Sequence, residues 1–263
     1  MTDIQTQCAG GILHIIFSRP TKKNALTEEM YGALNEALQK AIDSEDIKVM
    51  IFSGEGGSFT AGNDLDDFLI HPPQDATAPV FQFFAKLSSL AVPVIAAVEG
   101  VAVGLGTTML LHCDLVYASE DAKFVLPFVS LGLVPEGGSS FLLSRLAGHQ
   151  KASEMLLFGQ PFGAEDALKL GFVNQVLPAG EVLQKAIAQA DRLISLPTAA
   201  VRATKRLLRG RQKQGELSSE DRQLAAQMSE EITLFCDYLA RPAFREAIAA
   251  FKEKRKPNFS NVQ

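Results

Sequence analysis

The sequence has no tryptophan, three tyrosines, three cysteines and four histidines in 263 residues, and these scarcities remove several kinds of chemistry. Cys8, Cys113 and Cys236 stand in no CxxC or ligand-like spacing. That disfavours a disulfide framework or a zinc site and reads instead as buried thiols in a reducing compartment. His14, His71, His112 and His149 are far apart with no paired spacing, which suits surface or capping residues better than ligands or bases. There is no G-x-S-x-G elbow and no glycine-rich loop followed by Lys-Ser/Thr, and Gly104-Leu-Gly106 lacks the third glycine of a dinucleotide fingerprint. Basic excess is also missing: 25 Lys and Arg face 30 Asp and Glu, for a formal charge of −5. Nucleic acid and anionic membrane surfaces are therefore not expected partners. The opening MTDIQTQCAGG has neither the basic nor the apolar region of a signal peptide, and the closing Asn-Val-Gln matches no peroxisomal address. The longest apolar run, residues 90–111, is broken by Pro93, Glu99, Gly100, Gly104 and Gly106 and splits into strand, turn and helix instead of spanning a bilayer. The expectation is a globular, cytoplasmic chain.

What is present suffices for a large core: 47% of residues are hydrophobic and 21% charged, which excludes disorder. β-rich runs at 12–17, 49–52, 94–98, 114–118 and 173–177 alternate with helical patterns at 27–41, 80–90 and 104–112. Thr27 before Glu28 and Glu29 has the form of an N-cap with acids in the first turn, and Met30, Leu34, Leu38 and Ile42 recur every four residues. The alternation predicts a largely parallel, buried sheet. Beyond Pro197 the pattern is helical only. Leu224, Met228, Ile232, Phe235 and Leu239 form one stripe; Phe244, Ile248 and Phe251 form another after Pro242. Such stripes must be buried on the chain's own core or on a neighbour, and both are expected. The stretch 209–219 is polar and reads as an exposed connection.

Three segments carry candidate chemistry. Ser58-Phe-Thr-Ala-Gly-Asn-Asp-Leu65 and Glu99-Gly-Val-Ala-Val-Gly-Leu-Gly-Thr107 each follow a predicted strand and open a predicted helix, where the first N–H groups lack intrahelical partners. Two such junctions side by side would aim two donors at one oxygen, as in an oxyanion hole. On spacing alone, ordinary strand–helix turns explain the glycines at least as well. The third segment, Leu131-Gly-Leu-Val-Pro-Glu-Gly-Gly-Ser-Ser140, places Glu136 among apolar residues and glycines, with Arg145 the one near base. An apolar setting raises a carboxyl's pKa and suits a base working near neutrality. Glu136 equally fits a first-turn acid of a helix over 137–146.

With these segments in place the chain resembles the enoyl-CoA hydratase/isomerase (crotonase) superfamily over nearly its whole length. The matching pieces are Arg19-Pro-Thr-Lys-Lys-Asn-Ala-Leu26, Phe59-Thr-Ala-Gly-Asn-Asp-Leu65, residues 94–106, Cys113-Asp114 with Tyr117-Ala118, and residues 131–139; Lys151-Ala-Ser-Glu-Met-Leu-Leu-Phe-Gly159 and residues 164–173 follow. The resemblance implies an α/β fold, a spiral of ββα units over residues 1–196 with a C-terminal helical trimerisation region over 197–263. It implies an oxyanion hole for a CoA thioester carbonyl, with the N–H groups of Asn63 and Leu105 as donors; most members have glycine where Leu105 stands. The two glutamates that hydratases use correspond here to Thr108 and to the Pro127-Phe128 pair, so efficient hydration by that mechanism is not expected. Pro127-Phe128 with Pro135-Glu136-Gly137 instead resembles peroxisomal-type Δ3,Δ2-enoyl-CoA isomerases, in which the glutamate of the Pro-Glu-Gly motif moves the proton.

The resemblance also implies CoA contacts at Lys22, Lys23, Ala25, Ala61, Gly62, Asp64 and Leu65, with Phe128 in the lining and Phe251 and Lys254 supplied by a neighbouring copy. Lys22 and Lys23 read equally as solvated turn residues, and Phe251 as helix core. The acids Asp64, Asp66 and Asp67 read as a helix N-terminus, not a metal site. The implied partners are an acyl-CoA thioester substrate and further copies of the chain, as a homotrimer or dimer of trimers. No cofactor is expected beyond the CoA that belongs to the substrate. Hydrolysis of a CoA ester by a Glu136-activated water, residual hydratase activity and a non-catalytic acyl-CoA-binding role remain open alternatives.

Overall fold

The computed structural model describes residues 3–209, 218–260 and 262; most of the polar connection expected at 209–219 lies outside them. The chain opens with β1 (Ile4–Ala9), turns through two glycines at positive φ and returns as β2 (Ile12–Phe17). Helix α1 (Glu28–Asp43) follows, capped by the Thr27 hydroxyl, which accepts from the Met30 N–H at 3.3 Å. Met30, Leu34 and Leu38 are buried as the periodicity requires; Ala41 completes the face, while Ile42 is exposed.

Strand β3 (Val49–Gly54) leads through α2 (Leu65–Ile70) and α3 (Pro79–Ser89) to β4 (Val94–Val98) and β5 (Val101–Val103). The short α4 (Leu105–Thr108) continues as a tighter turn over Met109–His112 into β6 (Leu115–Ser119) and β7 (Lys123–Val125). Then come α5 (Ser139–Ala147), α6 (His149–Phe158), β8 (Phe162–Gly163), α7 (Ala164–Lys169) and β9 (Gln175–Leu177). The chain closes with α8 (Val182–Ile194), α9 (Thr198–Leu208), α10 (Ser219–Leu239) and α11 (Pro242–Lys252).

The main sheet has six strands in the order β1-β2-β3-β4-β6-β9. All its pairings are parallel except β1 with β2, so the expected parallel sheet carries one antiparallel edge that the sequence reading did not find. A second sheet, β5-β7-β8, stands apart from it. Strand β4 is buried at every position, which is why its sequence shows a continuous apolar run instead of alternation.

The C-terminal helices return to the core. Phe235 and Leu239 of α10 and Phe244 and Ile248 of α11 are buried in one cluster with Phe52, Phe59 and Phe83 from the first half of the chain. Two expectations are corrected by burial. Cys8 is exposed, because β1 is an edge strand whose outer residues face solvent. His112 is only 3% exposed, because the turn after α4 carries it under α3, where its ring packs against Phe84.

Candidate active site

The two glycine-rich segments meet. Thr60 bridges to Ala102, its N–H donating to the Val101 carbonyl at 3.0 Å and its carbonyl accepting from the Val103 N–H at 3.0 Å. Gly62 has φ +82°, and a Cβ there would stand 2.5 Å from the Val103 carbonyl oxygen; at Gly106 a Cβ would meet the Thr60 side chain at 2.7 Å. Both glycines are therefore required by close approach of the two segments. Asn24, fully buried at φ +58°, ties the first segment down: its amide donates to the carbonyls of Glu55, Ser58 and Phe59, and its Oδ1 accepts from the Arg19 N–H.

The candidate donors lie on this double turn. Leu105 is the first residue of α4, where an N–H has no intrahelical acceptor. Asn63 precedes Asp64, the N-cap of α2. Among the described residues neither N–H is used in a hydrogen bond to the protein. Both residues line a cavity of about 610 Å³, a size that suits a small-molecule ligand.

Of the residues singled out by sequence, Lys22, Ala25, Ala61, Gly62, Asn63, Asp64, Leu65, Leu105, Phe128 and Phe251 line this cavity. Lys23, Lys254 and Glu136 do not. Lys23 sits in a left-handed turn residue at φ 49° and faces solvent. Lys254 lies past the end of α11, at φ 55°, and Lys252 stands on the wall in its place. Phe251 lines the cavity of its own chain. Asp64 is occupied structurally: its carboxylate accepts from the Asp66 and Asp67 N–H groups and pairs with Arg19 at 2.7 Å. Burial pushes its pKa up, but Arg19 and those two N–H groups outweigh it and hold the carboxyl below its ordinary value.

Glu136 is buried, 1% exposed, and neither carboxyl oxygen has a hydrogen-bond partner. It is not a first-turn acid. Helix α5 begins at Ser139 with Gly138 as its N-cap at φ 73°, and Arg145 turns outward to Glu220 at 3.2 Å. Burial, with the nearby charge of Glu231 adding to it, pushes Glu136 up to about 8. Burial, with the Glu136 charge adding to it, raises the pKa of Tyr31, whose hydroxyl donates to the side-chain oxygen of Asn63 on the cavity wall.

Several residues of the site carry no local signal. Phe68, Leu133, Phe235 and Phe244 complete the apolar wall. Glu231 holds the turn after Glu136, accepting from the Gly138 N–H at 2.5 Å and the Ser140 N–H at 3.0 Å. His112 holds the same turn through the Gly137 carbonyl at 2.6 Å. Among the described residues no cluster of His, Cys, Asp and Glu is arranged to hold a metal ion, and no helix is long and apolar enough to cross a membrane.

A family model described as Enoyl-CoA hydratase/isomerase matches residues 7–262. The chain belongs to the enoyl-CoA hydratase/isomerase family. A crystal structure described as an enoyl-CoA hydratase/isomerase from Pseudoalteromonas atlantica T6c superposes with a TM-score of 0.90 at 37% identity, covering 98% of this chain and all of that one. Among curated relatives, the 2,3-dehydroadipyl-CoA hydratase of Escherichia coli K12 is 33% identical over 94% of each chain. The human Enoyl-CoA delta isomerase 2 is 35% identical over 78% of this chain, which spans about half of that protein (53%). The fold is thus the α/β crotonase fold with C-terminal helices, and the chain is an acyl-CoA enzyme of a family that contains both isomerases and hydratases.

Proposed function

We propose that this enzyme moves the double bond of a 3-enoyl-CoA ester into conjugation, giving the 2-enoyl-CoA. The observation that carries this reading is the single buried, unpartnered carboxyl of Glu136, with no acid at either position that matches the hydratase glutamates. At the positions matching the hydratase glutamates stand Thr108, whose hydroxyl donates to the Leu105 carbonyl, and Phe128, which lines the cavity.

One carboxyl suffices for the chemistry. The thioester oxygen accepts from the N–H groups of Asn63 and Leu105, which acidifies the protons on C2. Glu136, in its ionised form, removes one of them; the electrons move into the C2–C1 bond and onto the thioester oxygen, giving a dienolate. The same carboxyl then returns that proton at C4, and the double bond comes to rest between C2 and C3. Each oxyanion donor is worth about 2.7–4 kcal/mol in such a site, and a positioned acid–base group contributes roughly 10²- to 10⁴-fold. A pKa of about 8 suits a group that must both take and return a proton near neutrality. The human relative named an enoyl-CoA delta isomerase favours the same reading. Lys22 and Lys252 at the cavity wall are the candidates to meet CoA phosphates.

The test is conversion of 3-hexenoyl-CoA to the conjugated ester, followed by ultraviolet absorbance. Conversion is expected in the unmodified enzyme and not in Glu136→Ala, with CoA-ester binding retained. Release of free CoA, or a 3-hydroxyacyl product as the main outcome, overturns the proposal. The family resemblance and the exposure of Leu157, Phe158, Leu207 and Leu208 together support a homotrimer or dimer of trimers, which light scattering of the purified protein checks.

A further inference from the structure

The turn that carries Glu136 is held from two sides by residues far away in the sequence. Gly138, the N-cap of α5, has no side chain to cap the helix, and it cannot gain one: at φ 73° a Cβ would stand 2.5 Å from a Leu224 methyl of α10. The cap comes from Glu231 instead. Its carboxylate accepts from the Gly138 N–H at 2.5 Å, the Ser140 N–H at 3.0 Å and the Ser140 hydroxyl at 2.5 Å. Glu231 is 4% exposed in the middle of α10, and no Lys or Arg forms an ion pair with it among the described residues. A buried acid without a counter-charge is expensive, and an apolar residue would pack α10 against α5 as well. On the opposite side the His112 Nε2–H donates to the Gly137 carbonyl. Burial brings the His112 imidazole down to about 4, so it is neutral and its tautomer is set by that carbonyl acceptor.

We propose that Glu231 is a positioning residue for catalysis: from α10 it fixes the backbone of residues 138–140, thereby aims the Glu136 side chain, and faces it with a like charge. This rests on the reading of Glu136 as the base. The groups facing Glu136 are Glu231 from α10 and Tyr31 from α1, the latter also facing Asp67 of α2; the neutral His112 borders the turn from the segment after α4. Burial raises Glu231 itself, against the pull of its three donors.

Glu231→Gln removes the charge and keeps the size. In the isomerase assay its kcat is expected to fall roughly 10- to 100-fold by misalignment with KM within about two-fold. The acidic limb of its pH–rate profile is expected about one pH unit below that of the unmodified enzyme. Glu231→Asp keeps the charge but draws it back, so it loses kcat while its acidic limb stays in place. An acidic limb that does not move in Glu231→Gln, or a change confined to KM, overturns the proposal. A cycle of melting temperatures at pH 9 separates this from the parent reading. Glu136→Gln is expected to raise the melting temperature, and to raise it less in the Glu231→Gln background, whether or not 3-hexenoyl-CoA is a substrate. Equal gains in both backgrounds refute the Glu231 role, whereas a smaller gain with no isomerisation refutes only the parent reading. If Glu231→Gln fails to fold, Ser140→Ala, which removes one of the three donors to Glu231, is assayed instead: kcat is expected to fall with KM within about two-fold, and an unchanged kcat refutes the proposal.

Discussion

Substituting Glu136 by glutamine has an effect on stability that depends on pH in a way no ordinary surface change would. In the native state burial pushes Glu136 from 4.5 to about 8; in the unfolded chain it returns to its ordinary value. The native state therefore binds this proton more tightly than the unfolded state does. The stability that this tighter binding contributes is fully present below about pH 4.5, falls as pH rises through the window between the two values, and is gone above about pH 8. With 1.36 kcal/mol for each pH unit, the whole window is worth up to about 5 kcal/mol. Glutamine has no proton to lose. At pH 5 the protonated acid and the amide are both buried without partners, so enzyme and variant should melt within a few degrees of each other. At pH 9 the enzyme carries a buried charge that the variant lacks, and Glu136→Gln should be the more stable. At roughly 2–4 °C per kcal/mol in a large domain, the difference in melting temperature should swing by on the order of 10 °C in the variant's favour between pH 5 and pH 9. Thermal melts followed by circular dichroism at matched ionic strength measure it. Curves that stay parallel across the window would show that the carboxyl is solvated, and would refute both its burial and its fitness as the proposed base.

Four further substitutions probe the frame that carries the candidate site. Gly62→Ala places a Cβ 2.5 Å from the Val103 carbonyl at φ +82°, whereas Gly57→Ala, at φ +70°, meets nothing within 4 Å; urea denaturation should show Gly62→Ala costing about 2 kcal/mol or more and Gly57→Ala about 1 kcal/mol. Lys205→Met removes a 5% exposed ammonium that binds the Val92 carbonyl and Asp114, both at 2.6 Å; Asp114 keeps Arg209 at 3.6 Å and the Val94 N–H at 2.7 Å, so the cost should be on the order of 1–3 kcal/mol, read in the same experiment. Tyr31→Phe deletes the hydroxyl that donates to the Asn63 side chain; stability should fall by about 1 kcal/mol, and steady-state kinetics should show kcat reduced several-fold by a looser donor turn, with the acidic limb little changed.

The parts of the fold that sequence reading recovered are those in which a residue's role is decided by its neighbours along the chain. Strands β2 and β4 were placed with the observed limits because apolar β-branched runs end there in turn residues. The Thr27 cap was readable because a hydroxyl before two acids has one local use. Strand β1 was missed because its outer residues face solvent and its sequence, IQTQCA, is half polar. The meeting of the two proposed donor turns was legible only in combination with a known family, since what makes Gly62 and Gly106 necessary is the approach of Val103 and Thr60, and no local pattern encodes that approach. Glu231 and His112 were invisible for the same reason. Each acts on the Glu136 turn across a long stretch of chain, and each looks locally like an ordinary helix residue.

The distinction between shifting a double bond and hydrating it turns on what can stand next to C3. Hydration needs a water held and activated there by an acid that does not also serve the α-carbon. In this site Thr108 spends its hydroxyl on the Leu105 carbonyl of its own helix, and Phe128 presents a ring to the cavity; neither can polarise water as a carboxylate does. The apolar part of the wall, with Phe68, Leu133, Phe235 and Phe244, has side chains that offer water no hydrogen bonds, which favours its exclusion around an acyl chain. On the proposed reading, a dienolate formed there takes its proton back from the carboxyl that has just accepted it. Return of that proton to C2 regenerates the substrate, and return to C4 gives the conjugated product, so the proposed outcome depends on where the Glu136 turn aims a single group.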